Sequence, residues 1–102
     1  MTVHRLVVAG RARLALLRIG AWWRANRSAA PELFQVELSQ AFDLIANMPS
    51  SGELWTSARR PGIRRWLLPK TRYHVYYSVD DASTTVTVRM LWYAGRGRAP
   101  IL

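Results

Sequence analysis

The sequence predicts a single α+β domain, residues 1–102, with its elements in the order β-α-α-β-β-β. Three observations predict this fold class. From about residue 11 to 48, apolar residues recur every three or four positions, as on one face of a helix. From residue 63 to 93 they recur every second position, as on one face of a strand. A chain of 102 residues is enough for one domain and too short for two. We therefore expect an antiparallel sheet with an N-terminal helical hairpin packed on one face.

The N-terminal half predicts one strand and two helices. Residues 3–8 are rich in β-branched side chains and predict a strand that joins an edge of the sheet. A first helix follows over residues 11–26, and a second helix, with Ser28 as its candidate N-cap, continues to Pro49. The predicted apolar faces consist of Ala12, Leu16, Ile19 and Trp23 in the first helix and Phe34, Leu38, Ala41, Ile45 and Met48 in the second. The short connection between the helices predicts an antiparallel pair.

The C-terminal half predicts three strands, at residues 63–68, 72–79 and 84–93, with a turn at Asp80-Asp81-Ala82-Ser83 between the last two. In the middle strand, alternation places Tyr73, Val75, Tyr77 and Val79 on one face and His74 and Tyr76 on the other. In the last strand, alternation places Val86, Val88, Met90 and Trp92 on one face. It places Arg89, Leu91 and Tyr93 on the other face. We therefore expect Trp92 in the core together with Tyr73 and Tyr77.

The net charge of +9 is concentrated in the second half of the chain. Residues 1–53 hold six basic and four acidic side chains, a net of +2, and residues 54–102 hold nine basic and two acidic ones, a net of +7. Fourteen of the fifteen cations are arginines, whose planar donors suit phosphates and carboxylates. This distribution favours a polyanion or an acidic protein as partner.

The composition also excludes several classes of protein. Half of the residues are apolar, so the chain is globular, and without cysteine it has no disulfide, thiolate metal site or cysteine nucleophile. His4 and His74 lack metal-ligand spacing, and no glycine-rich phosphate loop precedes a helix, so we expect no metal and no cofactor. Arginines interrupt every apolar run of the first helix, so we expect a cytoplasmic protein without a membrane partner.

Basic and aromatic side chains are the candidates for function. The predicted contact residues are Arg59, Arg60, Arg64, Arg65, Arg89, Trp92, Tyr93, Arg96 and Arg98. His74 and Tyr76 share a strand face with them. Such a set can bind phosphates with aromatic stacking on bases, or pair with an acidic peptide, and both interpretations stay open. A basic module that binds nucleic acid, or an anionic membrane surface through the helix at 11–24, is a further alternative.

Several motifs occur in an order typical of one family. They are Ala12-x-x-x-Leu16-x-x-Ile19 followed by Trp, Met48-Pro49-x-x-Gly52, Gly62-Ile63-Arg64-Arg65, Tyr73-His74-Val75-Tyr76-Tyr77-Ser78-Val79, and Leu91-Trp92-Tyr93-Ala94-Gly95-Arg96. With these motifs the chain resembles the RelE/ParE toxins of type II toxin–antitoxin systems, and it is most similar to the ParE branch. The resemblance implies the RelE/ParE fold and a cognate acidic antitoxin, ParD-like or similar, which wraps the toxin and can form larger hetero-oligomers with it.

The resemblance leaves two targets open. ParE-like members inhibit DNA gyrase without being enzymes, whereas RelE-like members cleave mRNA in the ribosome. For a ribonuclease the matching positions are Arg65, His74, Arg96 and Arg98. However, Leu67 stands where RelE-like members carry a second lysine, and the tail has no counterpart of their catalytic tyrosine. We therefore expect a gyrase inhibitor that is not an enzyme, with the ribonuclease as the alternative.

Overall fold

The computed structural model describes residues 3–55 and 60–102, which form two helices and five strands. The elements are β1 (Arg5–Val8), α1 (Gly10–Asn26), α2 (Leu33–Asn47), β2 (Glu53–Leu54), β3 (Ile63–Leu67), β4 (Tyr73–Asp80) and β5 (Thr85–Tyr93), with one 3-10 turn at Pro49–Ser51. This order confirms the predicted α+β class. In the described part of the chain, no helix has the length and apolar character needed to span a bilayer.

The five strands form one sheet in the order β1-β5-β4-β3-β2. The predicted place of the first strand at an edge is confirmed, but β1 runs parallel to β5, with Arg5 opposite Thr85. The three C-terminal strands are antiparallel, as predicted, but the parallel pairing of β1 makes the sheet mixed, so the prediction of an antiparallel sheet was wrong for this one strand. Side-chain alternation reports which face a residue occupies and not the direction of the neighbouring strand. The two residues of β2 are too few to show any alternation, so this strand was missed.

Both helices pack on one face of the sheet, as predicted. The fully buried residues of this core are Ala12, Phe34, Leu38, Ala41 and Ile45 from the helices and Leu68, Val75, Tyr77, Val86, Val88 and Leu91 from the sheet and its turns. At the end of its predicted stripe, Met48 is exposed instead. The N-cap of α2 is Glu32 and not Ser28. The backbone before it forms two successive turns, in which Ala30 N–H donates to Arg27 O and Leu33 N–H to Ala30 O.

A β-bulge in β5 changes the faces predicted for its second half. Tyr77 lies opposite Val88 and Tyr76 opposite Met90, so Arg89 is an extra residue without a partner in β4. Beyond the bulge the alternation is shifted by one position. Leu91 is therefore in the core at 2% exposure, and Trp92 lies on the face away from the helices, opposite His74. The prediction that Trp92 belongs to the core was wrong for this reason.

The hydroxyl of Tyr77 connects the sheet to the loop after α2. It donates to Pro49 O at 2.7 Å and accepts from Gly52 N–H at 2.8 Å. A Cβ at position 52 would lie 2.4 Å from this hydroxyl oxygen and 2.9 Å from the backbone oxygen of Arg65, so only glycine fits there without a shift. The buried Tyr77 hydroxyl therefore explains why Pro49 and Gly52 stand three residues apart: it hydrogen-bonds to the backbone of both.

Replacing Tyr77 with phenylalanine is expected to lower the free energy of unfolding by about 1–3 kcal/mol, because it leaves a carbonyl and an N–H without their partner. Urea unfolding of the wild type and the variant measures the difference. Tyr93→Phe is the matched control, since Tyr93 is 45% exposed. Equal stability of Tyr77→Phe and the wild type would show that solvent replaces both hydrogen bonds.

Candidate functional site

A cationic groove of about 240 Å³ lies on the sheet face away from the helices. We call it the basic groove. Its side chains are Arg65 from β3, His74 and Tyr76 from β4, Trp92 and Tyr93 from β5, and Arg96 and Arg98 from the segment that follows. All four residues predicted for a ribonuclease, Arg65, His74, Arg96 and Arg98, therefore line one cavity.

Strand register brings these side chains together. Arg65 lies opposite Tyr76, and His74 lies opposite Trp92, so the four form two neighbouring cross-strand pairs. Paired side chains on one face of a sheet lie within contact distance of each other. Trp92 joins this face only because of the bulge at Arg89, so the bulge is what completes the groove.

Arg65 is held in place by two neighbours. Its Nε donates to the Glu53 carboxylate at 2.5 Å and its Nη1 to the Tyr76 hydroxyl at 3.3 Å. Burial works against the charged form, but these hydrogen bonds to Tyr76 and Glu53 outweigh it and raise the pKa of Arg65. Trp55 packs edge-on against the Tyr76 ring at 4.9 Å. The result is a fixed positive charge at the floor of the groove.

Trp92 organises the other wall of the groove. The guanidinium of Arg96 lies over its ring, 4.1 Å from the centroid, and its Nε1–H donates to Arg98 O at 2.9 Å. A cation–π contact of this kind contributes about 0.5–2 kcal/mol. Ala94 N–H also donates to Arg72 O at 2.8 Å. These contacts place two arginines of an otherwise irregular segment beside the sheet.

His74 is half-buried between these two walls, and its ring centroid is 5.8 Å from that of Tyr76. Burial and the positive charges of Arg65 and Arg72 lower the pKa of His74 below 6.5, against a smaller opposite effect of Glu53. Its imidazole is therefore neutral at pH 7, the form that can accept a proton.

The lowered pKa of His74 predicts that stability falls as the pH falls below 6.5. The unfolded chain binds the proton more tightly than the folded one, so this contribution is complete above the unfolded pKa and is lost toward the folded pKa. Urea unfolding at several pH values below 6.5 should show a smaller decline for His74→Gln than for the wild type. The same decline in both proteins would contradict the environment described for His74.

Three other predicted contact residues, Arg60, Arg64 and Arg89, do not line the basic groove. Arg64 points to the helix side, where its Nη1 donates to Gly52 O at 2.7 Å, so it has a structural role. Arg60 and Arg89 line a separate cavity of about 170 Å³ together with Arg11. The Nε of Arg89 donates to Ser78 Oγ at 2.9 Å. Arg59 lies outside the described residues.

Two features of the groove were missed from the sequence. Glu53 was not predicted to contact Arg65, because the short β2 strand that pairs with β3 was not recognised. Tyr76 was predicted on the polar face, yet it is only 1% exposed. It lies on the predicted face, opposite Arg65, and Trp55 packs against its ring there.

The chain matches the family model of the ParE toxin of type II toxin–antitoxin systems, parDE, over residues 6–96. A comparison with curated proteins found no match. Among solved structures, the chain is similar to one in the RelBE2 toxin–antitoxin complex of Mycobacterium tuberculosis, with 19% identity, 92% of this chain and 95% of that chain covered, and a TM-score of 0.68.

Two Escherichia coli structures are also similar. A chain of the intact RelBE toxin–antitoxin complex has 21% identity and a TM-score of 0.54, with 91% of this chain and 99% of that chain covered. A double arginine-to-alanine mutant of the toxin RelE in the free state has 20% identity and a TM-score of 0.58, with 92% and 86% covered. At these identities the structures show a shared fold.

The family match includes every helix and strand, apart from the first residue of β1, and most of the basic groove. Arg65, His74, Trp92 and Arg96 lie within the matched range, and Arg98 lies two residues beyond it. The resemblance stated from the motifs is thereby confirmed at the level of the family. This chain belongs to the ParE toxin family of type II toxin–antitoxin systems.

Proposed function

We propose that this toxin inhibits DNA gyrase and is neutralised by a cognate acidic antitoxin. The observation that carries the proposal is the basic groove, which brings together three arginines and the rings of Tyr76, Trp92 and Tyr93 on a ParE-family fold. Arginine and aromatic side chains are the ones enriched where proteins bind other proteins tightly. The groove is therefore suited to binding a macromolecular partner.

The chemistry of the groove favours binding over catalysis. In-line cleavage of RNA needs one group to accept a proton from the 2′-hydroxyl and another to donate one to the leaving oxygen. Among the described residues of the groove, His74 is the side chain whose ordinary pKa lies near neutrality. Tyr76 is buried, and arginines stay protonated at all physiological pH values.

An acidic antitoxin fits the same surface. Carboxylates form short, bidentate hydrogen bonds with guanidinium groups, and the groove offers Arg65, Arg96 and Arg98 within one cavity. Similar structures of the RelBE systems contain a toxin together with its antitoxin. We expect the antitoxin to be encoded beside this chain, to be acidic, and to restore growth when both are produced together.

Purified toxin should block supercoiling by gyrase and leave cleaved DNA complexes. Arg96→Gln combined with Arg98→Gln should weaken this inhibition at least tenfold, since two charge-assisted contacts are lost. Arg13→Gln, on the exposed side of α1, is the matched control and should inhibit like the wild type. Gyrase activity that is unchanged at toxin doses that stop growth would refute the gyrase target.

A second candidate function is ribosome-dependent cleavage of mRNA. It is favoured by one observation, the convergence of Arg65, His74, Arg96 and Arg98 on one cavity with a neutral imidazole. In a translation extract this function requires cut mRNA, a rate that falls as the pH drops through the pKa of His74, and loss of cutting in His74→Gln. Uncut mRNA, or full toxicity of His74→Gln, would exclude His74 as the base.

A further inference from the structure

The cavity of about 170 Å³ beside the bulge of β5 brings together three arginines that lie outside the basic groove. We call Arg11, Arg60 and Arg89 the arginine cluster. They come from three separate parts of the chain: the first turn of α1, the segment before β3, and the bulge itself. The other lining residues are Ala9 and Leu102. The cavity is therefore cationic on several sides.

The arginine cluster lies on the same face of the sheet as the basic groove. The Nε of Arg89 donates to Ser78 Oγ at 2.9 Å, and Ser78 is four residues from His74 along β4, so both point to this face. Arg11 is also anchored, because its Nη1 donates to Ile101 O. Each guanidinium has five N–H donors, so one hydrogen bond fixes its position and leaves the other donors available for a ligand.

The positive charges of the arginine cluster are not balanced within the described part of the chain. No acidic side chain lines the cavity, and no carboxylate of the described residues forms an ion pair with the cluster. Like charges around one cavity repel each other, and a bound anion replaces this repulsion with attraction. The cavity is therefore suited to an anion.

The number and direction of the donors favour a phosphate group over a carboxylate. The two oxygens of a carboxylate lie in one plane, and a single guanidinium already pairs with both of them. The oxygens of a phosphate group point to the corners of a tetrahedron, so they can accept from guanidinium groups that approach from different sides. A phosphate group also fits the space, which equals the volume of about five or six molecules of liquid water.

From these observations we infer that the arginine cluster binds a phosphate group, as a site separate from the basic groove. The inference does not depend on gyrase as the target. The phosphate can belong to a free phosphate compound or to a DNA strand that also reaches the basic groove. A strand can reach both sites, because Leu102 at the cluster and Ala99 at the groove have Cα atoms at most about 11 Å apart.

The first test follows the Nε–H signal of Arg89 by NMR in the full chain, with the signal assigned by an Arg89→Gln variant. Sodium phosphate is titrated, and sodium acetate at the same ionic strength is the comparison. We expect a saturable shift with phosphate, an affinity for acetate at least tenfold lower, and an affinity for phosphate at least tenfold lower in Arg60→Gln. Arg13→Gln, an exposed arginine that lines neither cavity, is the control and should bind phosphate like the wild type.

The second test separates the two sources of phosphate by the binding of a short labelled oligothymidine at several salt concentrations. If the phosphate belongs to a strand, Arg60→Gln should reduce the slope of log affinity against log salt by about 0.7, the value for one phosphate of a single strand. Arg13→Gln should leave the slope unchanged. An equal slope in Arg60→Gln and the wild type, together with a saturable shift by sodium phosphate, assigns the site to a free phosphate compound.

Three results would overturn the inference: no saturable shift of the Arg89 signal with phosphate or oligothymidine, binding of acetate as tight as that of phosphate, or unchanged phosphate binding in Arg60→Gln. Arg60 is exposed, so Arg60→Gln should unfold at the same urea concentration as the wild type. If it does not, Arg11→Gln takes its place with the same expected loss of phosphate binding. Neither test contains gyrase, so failure of the gyrase target leaves both results unchanged.

Discussion

Leu91→Ala and Trp92→Ala, two neighbouring substitutions in β5, are expected to have opposite effects. Leu91 is in the core at 2% exposure, and its loss should lower the free energy of unfolding by about 2–5 kcal/mol. Trp92 lies on the face away from the helices, so Trp92→Ala should cost less than about 1.5 kcal/mol. It should nevertheless reduce toxicity at least tenfold, because Arg96 loses its stacking partner and Arg98 its hydrogen bond.

Urea unfolding and growth inhibition, measured on the same variants, check this pair of results. Trp92→Phe is a useful intermediate, since it keeps a ring under Arg96 and removes the Nε1–H that binds Arg98 O. A regular strand without the bulge would give the reverse order, with Trp92→Ala far more destabilising than Leu91→Ala. That reversed order would therefore refute the register described for β5.

Replacing Glu37 with alanine is expected to destabilise the protein by about 2–4 kcal/mol. Glu37 is 7% exposed, and its carboxylate accepts the backbone N–H groups of Lys70 and Thr71, both at 2.8 Å. Without it, the buried N–H of Thr71 and the part-buried N–H of Lys70 lose their acceptor, at a cost of about 1–3 kcal/mol for a buried donor.

Comparing Glu37→Ala with Glu37→Gln separates the stability lost with the hydrogen-bond acceptor from the stability lost with the side-chain volume. Glutamine keeps one acceptor oxygen and fills the same space, so its loss of stability should lie between those of alanine and the wild type. Denaturant unfolding gives the three free energies. A stability of Glu37→Ala within about 0.5 kcal/mol of the wild type would mean that water replaces the carboxylate.

The elements that could be predicted from the sequence are those with a long, regular pattern. Both helices have 15 or more residues, and the last two strands have eight and nine, enough for a clear periodicity. The shorter strand β3 is bounded by Gly62 and Pro69, residues typical of turns. The turn at Asp80 is an example, because its carboxylate accepts from Ala82 N–H at 3.1 Å as expected for this residue type. In such segments local propensity and the final fold agree.

The errors come from features with no periodic signal. A single inserted residue, Arg89, reverses the assignment of Leu91 and Trp92, and a pattern of alternating apolar residues continues through it unchanged. The role of Arg64 could not be read from its type, because a cation that donates to buried carbonyls looks like any other arginine in sequence. The sequence predicts the groove residues one by one. That they lie together follows only from the register of the strands.

The pairing of β1 with β5 also determines when the sheet can be completed during synthesis of the chain. Arg5 and Thr85 are 80 residues apart, so the first strand has no partner until nearly the whole chain has been made. At the usual rate of translation this delay lasts roughly 4–16 s. The basic groove is assembled late as well, since Arg65, His74 and Trp92 come from three strands of the C-terminal half. The sheet and the groove on its open face are therefore completed together, at the end of synthesis and several seconds after the first strand has been made.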